Sequence, residues 1–234
     1  MLTKNFWGKY FKEYDFLNEL IPYRELLNTI CSYSNPQPGG CVLDVGSGTG
    51  NLSMLLESFG TKVTSIDFSK EGIEIHKAKK PKAYIINLDI SKKLPFTDNE
   101  FDSIVSNNVL YTIPKEKRSN ILRELYRVLK PGGNIVISNI LKGFKPHYIY
   151  FDHVKMLLSK HGITKTSLKI LALIWPTIKI LYYNHLINTE NKCGFYDFFK
   201  EKEQSNLLME AGFKKISEDL ILYSGQAVLN WGIK

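Results

Sequence analysis

The chain has few cysteines and no long uninterrupted apolar segment. Its three cysteines, Cys31, Cys41 and Cys193, are too few and too widely spaced for a disulfide framework or a paired-cysteine metal site. The most apolar stretch, residues 168–183, contains two lysines and Pro176, so it is too short and too interrupted to span a bilayer. The charged, aromatic beginning is unlike a signal peptide. These features predict a cytoplasmic location.

Metal-binding motifs and strong compositional bias are also missing. The sequence contains no HExxH motif, no cysteine/histidine cluster and no paired carboxylates, so we expect no metal. With 44% hydrophobic and 23% charged residues, it is neither disordered nor collagen-like. The net charge of +8 would suit an anionic partner such as nucleic acid, acidic lipid or a carboxylate. The lysines are scattered along the chain, however, which favours a solvated surface.

Apolar runs alternate with helical periodicity after residue 40. Residues 9–31 have the spacing of an amphipathic helix, with Pro22 as a place where it could bend. Strands are predicted at 41–45, 62–67, 83–89, 103–108 and 134–140, and helices at 51–59, 70–80 and 115–129. This alternation predicts an α/β fold with a doubly wound, mostly parallel sheet.

The last part of the chain follows a different pattern. A helix is predicted over 201–211, and the segments 213–222 and 226–233 are joined so closely that they must form an antiparallel hairpin. We therefore divide one domain into an N-terminal helical segment (1–40), a core (41–140 and 201–234) and an insertion after strand five (141–200).

Polar residues gather where the predicted strands end. Asp44, Asp67 and Asp89 close strands one to three, and Asn107-Asn108 follow strand four. Ligands of open parallel sheets bind at this edge, and a carboxylate after strand two can accept hydrogen bonds from ribose hydroxyls. Asp67 could instead begin the following helix, and Asp89 could equally well cap a turn.

The stretch VLDVGSGTG (42–50) forms a glycine loop that two kinds of protein use. GTGNLS (48–53) is one substitution from the dinucleotide motif GxGxxG, a weak match that leaves a nicotinamide-dependent oxidoreductase open. Asp44 lies two positions before Gly46. Its negative carboxylate disfavours the binding of a negative pyrophosphate at this loop.

Together with LRELYRVLKPGGNIVIS (122–138), the loop resembles the class I S-adenosylmethionine-dependent methyltransferases. Within them the chain is similar to the small-molecule group typified by the quinone-biosynthesis methyltransferases. The resemblance covers residues 1–140 strongly and 201–233 in outline. DVGSGTG matches the family's acidic-x-Gly-x-Gly-x-Gly loop, and RVLKPGG is among its most specific signatures. The resemblance implies a Rossmann-like, seven-stranded sheet with the last strand antiparallel, and S-adenosylmethionine as the cofactor.

The same resemblance implies a role for each donor-site residue. Asp44 would hold the ammonium group, Asp67 the ribose hydroxyls and Asn107 the methionine end of the donor. The adenine would contact Phe68, Asp89 and Ile90, while the loop beneath the donor would comprise Gly46, Ser47, Gly48 and Gly50. The pattern Trp7, Tyr10, Tyr14 is similar to the lid of these relatives, although Tyr10 and Tyr14 could equally well anchor the first helix.

Methyl transfer from a sulfonium does not require an obligatory catalytic residue. The leaving thioether is neutral, so the protein mainly aligns the reactants and excludes water. A base helps only if the acceptor must lose a proton. The histidines of the insertion are the candidates, with His147 nearest to strand five, although each is more often structural: His147, His153, His161 and His185. His76 is expected to face away from the site.

The insertion is rich in aromatic and aliphatic residues, which predicts a small aromatic or lipophilic acceptor. Residues 165–183 could touch a membrane surface through Lys165, Lys169 and Lys179. NNVLY (107–111) differs from the tetrapeptide of nucleic-acid base methylases, so a nucleic-acid substrate is not expected. We expect a monomer or a homodimer. A scaffold or sensor that binds the donor without catalysis stays open beside the enzyme.

Overall fold

A single seven-stranded sheet forms the centre of the protein. The computed structural model describes residues 4–234, except for the side chains of residues 4, 5, 7, 161 and 163–172. The strands are β1 Cys41–Val45, β2 Lys62–Asp67, β3 Tyr84–Asn87, β4 Phe101–Asn107, β5 Leu129–Ile140, β6 Leu220–Leu222 and β7 Ala227–Ile233. The helices are α1 Lys4–Tyr14, α2 Ile21–Ser34, α3 Asn51–Glu57, α4 Lys70–Lys79, α5 Lys115–Val128, α6 His147–Lys192 and α7 Glu203–Glu210.

The strand order is β3-β2-β1-β4-β5-β7-β6. The strands from β3 to β5 are parallel, whereas β7 runs antiparallel to β5 and pairs Asn230 with Ile137. The closing hairpin of β6 and β7 is antiparallel. This topology confirms the predicted fold class. Because β2 and β4 flank β1 on opposite sides, the strand order reverses at β1, and the ligand crevice lies at its carboxyl end.

The central strands carry fully buried apolar side chains because both faces of the sheet are covered. Leu43 in β1, Ile104 in β4 and Ile137 in β5 have no exposed surface. Parallel strands buried on both faces read as continuous apolar runs. This packing makes the carboxyl edge of β1, β2 and β4 a rigid base for polar side chains.

The N-terminal segment differs from the single bent helix predicted over residues 9–31. It contains α1, a 3₁₀ turn over Asp15–Glu19, and α2. Pro22 lies in the first turn of α2, where the missing N–H breaks no helical hydrogen bond. The proline therefore starts a helix instead of bending one.

The hairpin strand β6 is shorter than the predicted 213–222. The amide nitrogen of the Asn230 side chain lies 3.3 Å from both the Ser217 and the Glu218 carbonyl oxygens, and donates to Asp219 Oδ1 at 2.9 Å. Since these carbonyls are bound by a side chain, they do not join the strand ladder. Regular pairing begins only at Leu220.

The insertion forms mainly the long helix α6. Gly162 breaks the helical path with φ +71° and ψ 178°, so α6 consists of two helices in series. No helix among the described residues is long and apolar enough to cross a membrane. The second half of α6 returns to the sheet and covers the crevice at β1.

Candidate active site

A cavity of about 700 Å³ lies at the carboxyl edge of β1, β2 and β4. The N-terminal segment and α6 contribute its other walls. Eleven of the twelve residues that the sequence assigns to the donor line it: Tyr10, Tyr14, Asp44, Gly46, Ser47, Gly48, Asp67, Phe68, Asp89, Ile90 and Asn107. The twelfth, Gly50, lies just behind the cavity wall, at the start of α3.

Two glycines of the loop are required by their surroundings. Gly46 has φ +73°, and a Cβ on it would lie 2.2 Å from Cγ2 of Val109. Gly50 has φ +83°, and a Cβ there would lie 2.2 Å from the His76 ring. A side chain at either position would meet both backbone strain and a clash. His76 thus supports the loop from behind and does not line the cavity.

Asp44 is a buried carboxylate held by two serines. Its Oδ2 accepts a hydrogen bond from Ser53 Oγ at 2.5 Å, and Ser53 Oγ lies 2.9 Å from Ser65 Oγ. Because the single hydroxyl proton of Ser53 goes to Asp44, Ser65 is the donor in the second bond. Burial raises the pKa of Asp44 to about 7, and nearby Asp67 adds to the increase. A cationic group in the cavity would relieve this cost of burial.

Asp67 connects the glycine loop to the turn after β2. Its Oδ2 accepts from the Gly48 N–H and its Oδ1 from the Ser69 N–H, each at 2.8 Å. Ser69, not Asp67, is the N-cap of α4, since its hydroxyl accepts from the Gly72 N–H at 3.2 Å. Burial raises the pKa of the Asp67 carboxyl. The backbone hydrogen bonds offset part of this rise, and Asp67 lines the cavity.

Phe68 and Asp89 form the outer end of the cavity. The Phe68 ring is 45% exposed, which suits a flat ligand group that would cover it. Asp89 Oδ1 accepts from the Ser91 N–H at 2.9 Å, and this bond lowers the pKa of the Asp89 carboxyl. Asp89 therefore caps a turn and also lines the cavity, and its contact with the adenine stays a prediction. Ile90 beside it is buried.

Several buried polar atoms of cavity-lining residues have no hydrogen-bond partner within the described part of the chain. Those that follow β1 and β4 are Ser47 Oγ and the Oδ1 atoms of Asn107 and Asn108. Unpaired buried polar atoms are costly, and a polar ligand would satisfy them. Together with Asp44, they fit the ammonium and carboxylate of an amino acid.

The N-terminal segment is fastened to the glycine loop by Asp15. Its Oδ1 accepts from Thr49 Oγ1 at 2.6 Å and from Lys79 Nζ at 2.9 Å. Tyr10 and Tyr14 line the cavity, and their rings pack edge-on against Tyr183 of α6 and Tyr23 of α2, with centroids 5.7 and 5.9 Å apart. They therefore both face the site and anchor their helix. Trp7, the third residue of this pattern, lies outside the described side chains.

Sequence reasoning missed a second set of aromatic residues in the same cavity. One group continues from Tyr14 through Tyr23 to Tyr223, with ring centroids 5.9 and 6.1 Å apart. A second group comprises Tyr111, Phe144, Tyr196 and Phe198. Asn184 and Ile187 of α6 complete this part. Phe144, Tyr196 and Phe198 belong to the aromatic-rich insertion, whose content carries no spacing rule, and no sequence pattern marked Tyr23, Tyr111 or Tyr223.

Arg118 fixes one wall of this aromatic part. The side chain is completely buried, and its Nε donates to the Ile113 carbonyl at 3.1 Å while Nη2 donates to the Asp197 carbonyl at 2.7 Å. The guanidinium also lies 4.6 Å from the centre of the Phe199 ring. It thereby ties α5 to the segment that carries Phe198. No motif in the sequence distinguished this arginine from the other charged residues of α5.

None of the described histidines lines the cavity. His147 is exposed and contacts the Tyr148 ring in a tilted arrangement, and His185 is also exposed. His153 is buried, and its Nδ1 accepts from the Ile21 N–H at 3.2 Å. The side chain of His161 lies outside the described residues. The structure thus brings none of the candidate histidines with described side chains to the site, because α6 turns them outward or toward α2.

The comparisons with known proteins identify this arrangement. A family model described as a methyltransferase domain matches residues 43–137. A demethylmenaquinone methyltransferase of Oceanobacillus iheyensis is 28% identical over 96% of this chain and 91% of its own length. Another, from a Geobacillus strain, is 31% identical over 65% of this chain and 70% of its own length. The chain belongs to the class I S-adenosylmethionine-dependent methyltransferases of the quinone-biosynthesis type.

The methyltransferase also shares its fold with solved structures. A S-adenosylmethionine-dependent methyltransferase from Aquifex aeolicus superposes with a TM-score of 0.61 over 97% of both chains, at 18% identity. The cofactor of the methyltransferase is S-adenosylmethionine. No comparison favours the oxidoreductase or the non-catalytic scaffold.

Proposed function

We propose that the methyltransferase binds S-adenosylmethionine at its glycine loop and methylates a demethylmenaquinone-like acceptor in the aromatic part of the cavity. One observation carries the proposal: the donor residues and the aromatic residues line one continuous cavity. When bound, S-adenosylmethionine supplies a methyl group on a positively charged sulfur, whose departure as a neutral thioether needs no proton.

The donor end provides a complementary group for each part of the cofactor. Asp44 would hold the ammonium group because it is a buried carboxylate with only serine partners. Asn107 would face the methionine end, and Asp67 would accept from the ribose hydroxyls. Phe68 would cover the adenine. Asp89 would accept a hydrogen bond from the adenine amino group. These assignments extend the family resemblance to residues that the structure groups in one cavity.

The aromatic end suits a flat apolar ring. Tyr111 packs edge-on against Phe198, and Phe198 against Phe144, with centroids 5.3 and 6.0 Å apart. Tyr23 and Tyr223 lie on the other aromatic group. Rings of this kind bind an aromatic acceptor through stacking and edge contacts, and they exclude water from the reaction.

The tyrosine hydroxyls would bind the oxygen atoms of the acceptor. Burial raises the pKa of Tyr10, Tyr23, Tyr111 and Tyr223, and that of Tyr14 to about 12. These groups therefore stay protonated at neutral pH and can donate. Carbon methylation needs an electron-rich ring, so the reduced hydroquinone is the expected form. Hydrogen bonds to an ionised oxygen of the hydroquinone would stabilise the negative charge that makes the ring carbon nucleophilic. Each transfer would form a bond between the ring carbon and the methyl group, break the bond between that methyl group and sulfur, and release the ring proton to solvent.

The functions of two segments, the oligomeric state, the location and the exclusion of nucleic acid also stay predictions. The helical lid of residues 1–40 and the substrate-cap insertion of residues 141–200 remain proposed functional segments. A monomer or homodimer, a cytoplasmic location and the exclusion of nucleic acid as substrate also rest on the sequence alone.

A turnover assay tests the proposed acceptor. The protein is incubated with S-adenosylmethionine and a reduced short-chain demethylmenaquinone, and the product is analysed by mass spectrometry. We expect a gain of one CH₂ unit and an equal amount of S-adenosylhomocysteine. Tyr111→Phe should lower kcat and leave donor affinity unchanged, because it removes one hydroxyl and keeps the ring. Donor binding without methylation of any quinol or phenol would contradict the proposal.

Asp67→Ala tests the donor end. We expect S-adenosylhomocysteine to bind about 2 kcal/mol more weakly in calorimetry, because partners of a buried hydrogen-bonded carboxylate are lost. Ser69→Ala is the matched control. It removes the N-cap of α4 and should cost about 1 kcal/mol of stability without changing donor affinity. Equal affinity in Asp67→Ala and the wild type would show that the ribose lies elsewhere.

A further inference from the structure

The second half of α6 has two different faces. Ile180, Asn184 and Ile187 are buried, and the last two line the cavity. The opposite face exposes large apolar side chains: Ile174, Trp175, Ile178 and Tyr182. Residues two positions apart on a helix differ by about 200°, which explains why Tyr182 points away from the cavity that Asn184 lines.

This outer face lacks the charged residues that normally cover a surface helix. Trp175 is 66% exposed, more than any other large apolar side chain described between residues 173 and 192. Between residues 173 and 189 the only lysine is Lys179, which pairs with Glu13 at 2.7 Å. A contiguous exposed apolar face of this kind marks a contact surface.

The first half of α6 also carries a row of exposed apolar side chains, with lysines beside it. Tyr148, Phe151 and Leu158 are exposed, and Phe151 reaches 67%. Lys155 lies within this row and is exposed. Lys145 Nζ lies 5.8 Å from the centre of the Tyr148 ring. Aromatic rings next to lysines are the composition of helices that lie in a lipid interface.

The charge of the chain is concentrated in this region. Residues 141–200 contain nine lysines and three acidic residues, so they hold six of the eight net positive charges. The remaining residues carry nearly balanced charge. Several of these lysines are exposed: Lys142, Lys145, Lys155, Lys160, Lys192 and Lys200. Such an excess attracts an anionic surface, and each lysine near anionic lipid contributes about 1 kcal/mol.

We propose that the outer face of α6 docks on an anionic lipid bilayer. The exposed aromatic and aliphatic side chains enter the interface, and exposed lysines beside them, such as Lys145 and Lys155, bind the headgroups. A protein partner would need a strongly acidic surface with a deep apolar groove, whereas a bilayer offers both features at once. The docking does not depend on the identity of the acceptor, although it would bring the wall of the cavity next to a lipophilic one.

The docking face differs from the one that the sequence predicts. That prediction named Lys165, Lys169 and Lys179 within residues 165–183. Lys179 is engaged by Glu13, and the side chains of the other two lie outside the described residues. The exposed rows of α6, from Tyr148 to Leu158 and from Ile174 to Tyr182, carry the proposal instead.

Vesicle binding tests the proposal directly. The full-length protein is sedimented with vesicles of phosphatidylcholine alone or with added phosphatidylglycerol. We expect binding to the anionic vesicles only, and weaker binding at high salt. The double variant Trp175→Ser, Ile178→Ser should bind on the order of tenfold more weakly. The matched control Tyr84→Ser, Ile221→Ser removes exposed apolar side chains from the sheet edges and should bind like the wild type.

Fluorescence supplies a second, independent measurement. In a Trp7→Phe, Trp231→Phe background, Trp175 is the only tryptophan, and its emission should shift to the blue when anionic vesicles are added. An unshifted emission, or binding that the α6 variant does not weaken, would overturn the proposal. So would tighter binding to an RNA oligonucleotide than to vesicles, or a dimer that the α6 variant dissociates. Turnover of a short-chain acceptor without vesicles should be unchanged in the α6 variant, which separates this proposal from the proposed function.

Discussion

The two ends of the cavity are built in different ways. At the donor end, the side chains lie within a few residues of the carboxyl ends of β1, β2 and β4, and backbone hydrogen bonds fix them. At the acceptor end, the side chains come from α2, from the turn after β4, from α6 and from Tyr223 near the chain end. The sheet therefore determines the donor end, and side-chain packing between distant segments determines the acceptor end.

This difference predicts which amino-acid substitutions each end of the cavity tolerates. A backbone-built site fails when a Cβ is added, because the loop has no room to move. A packed aromatic site can accept a related side chain, since volume is preserved. Substitutions at the two ends should therefore separate donor binding from acceptor binding.

Gly46→Ala should have the largest effect. The new Cβ would lie 2.2 Å from Val109 at φ +73°, so the loop must shift. We expect a loss of roughly 3 kcal/mol of stability and donor binding too weak to detect by calorimetry. Gly39→Ala is the control, because its φ is +78° but nothing lies within 4 Å of its Cβ. It should cost about 1 kcal/mol and leave donor affinity intact. Similar results for both variants would remove the distinction between the ends.

Asp44 gives the next largest effect, through pH. Its pKa of about 7 lies above its ordinary value, so the unfolded chain releases this proton first and the stability of the ligand-free protein falls as pH rises from about 4 to 7. Asp44→Asn should therefore raise the melting temperature above that of the wild type at pH 8. Donor affinity of the wild type should weaken below pH 7 as the carboxylate gains a proton.

Thermal melts and calorimetry between pH 5 and pH 8 check both parts. Asp44→Asn should bind the donor weakly at every pH. A variant that keeps wild-type affinity would show that the ammonium group does not lie at Asp44.

Phe198→Leu should act only at the acceptor end. Phe198 is buried between Tyr111 and Phe144, so the smaller side chain loosens this wall. We expect the KM for the acceptor to rise by up to about tenfold, equivalent to 1.4 kcal/mol, with the donor affinity unchanged. Phe213→Leu is the control, since Phe213 is equally buried but packs on Tyr126 outside the cavity. A parallel loss of donor affinity in Phe198→Leu would show that the ends are coupled.

Asp15→Asn should have the smallest effect. It weakens the bond to Thr49 and the partly exposed ion pair with Lys79, which together are worth under about 1 kcal/mol. We expect S-adenosylhomocysteine to dissociate about two- to fourfold faster in stopped-flow experiments. Glu13→Gln, which breaks only the pair with Lys179, is the comparison. A rate equal to that of the wild type would show that this contact does not hold the N-terminal segment closed.

The donor end could be predicted because its signals are local. Asp44, Asp67 and Asp89 each follow a recognisable apolar strand, and sheet topology brings strand ends together whatever the rest of the chain does. The glycine motif around Gly46 indicated the cofactor because it, too, is a local sequence signal.

The acceptor end could not be predicted, since contacts such as Tyr23 with Tyr223 join residues far apart in sequence. Proximity to β5 also misled us about His147, because Phe144 turns inward while His147 begins α6 on the surface. Pro22 and Asn230 show that helix and strand boundaries have the same limit: they depend on contacts that the sequence does not reveal. The side-chain environment decided whether a proline started a helix and where a strand began.

The bridge from Asp15 to Thr49 and Lys79 has a consequence for the order of folding. It joins residues 34 and 64 positions apart, so the N-terminal segment can dock only after the glycine loop and α4 have formed. An element that docks last can also detach alone while the sheet stays intact. In native-state hydrogen exchange, the amides of α1 should therefore exchange well before those of β1 and β4. The N-terminal segment would then be the last part of the fold to settle and the first to detach.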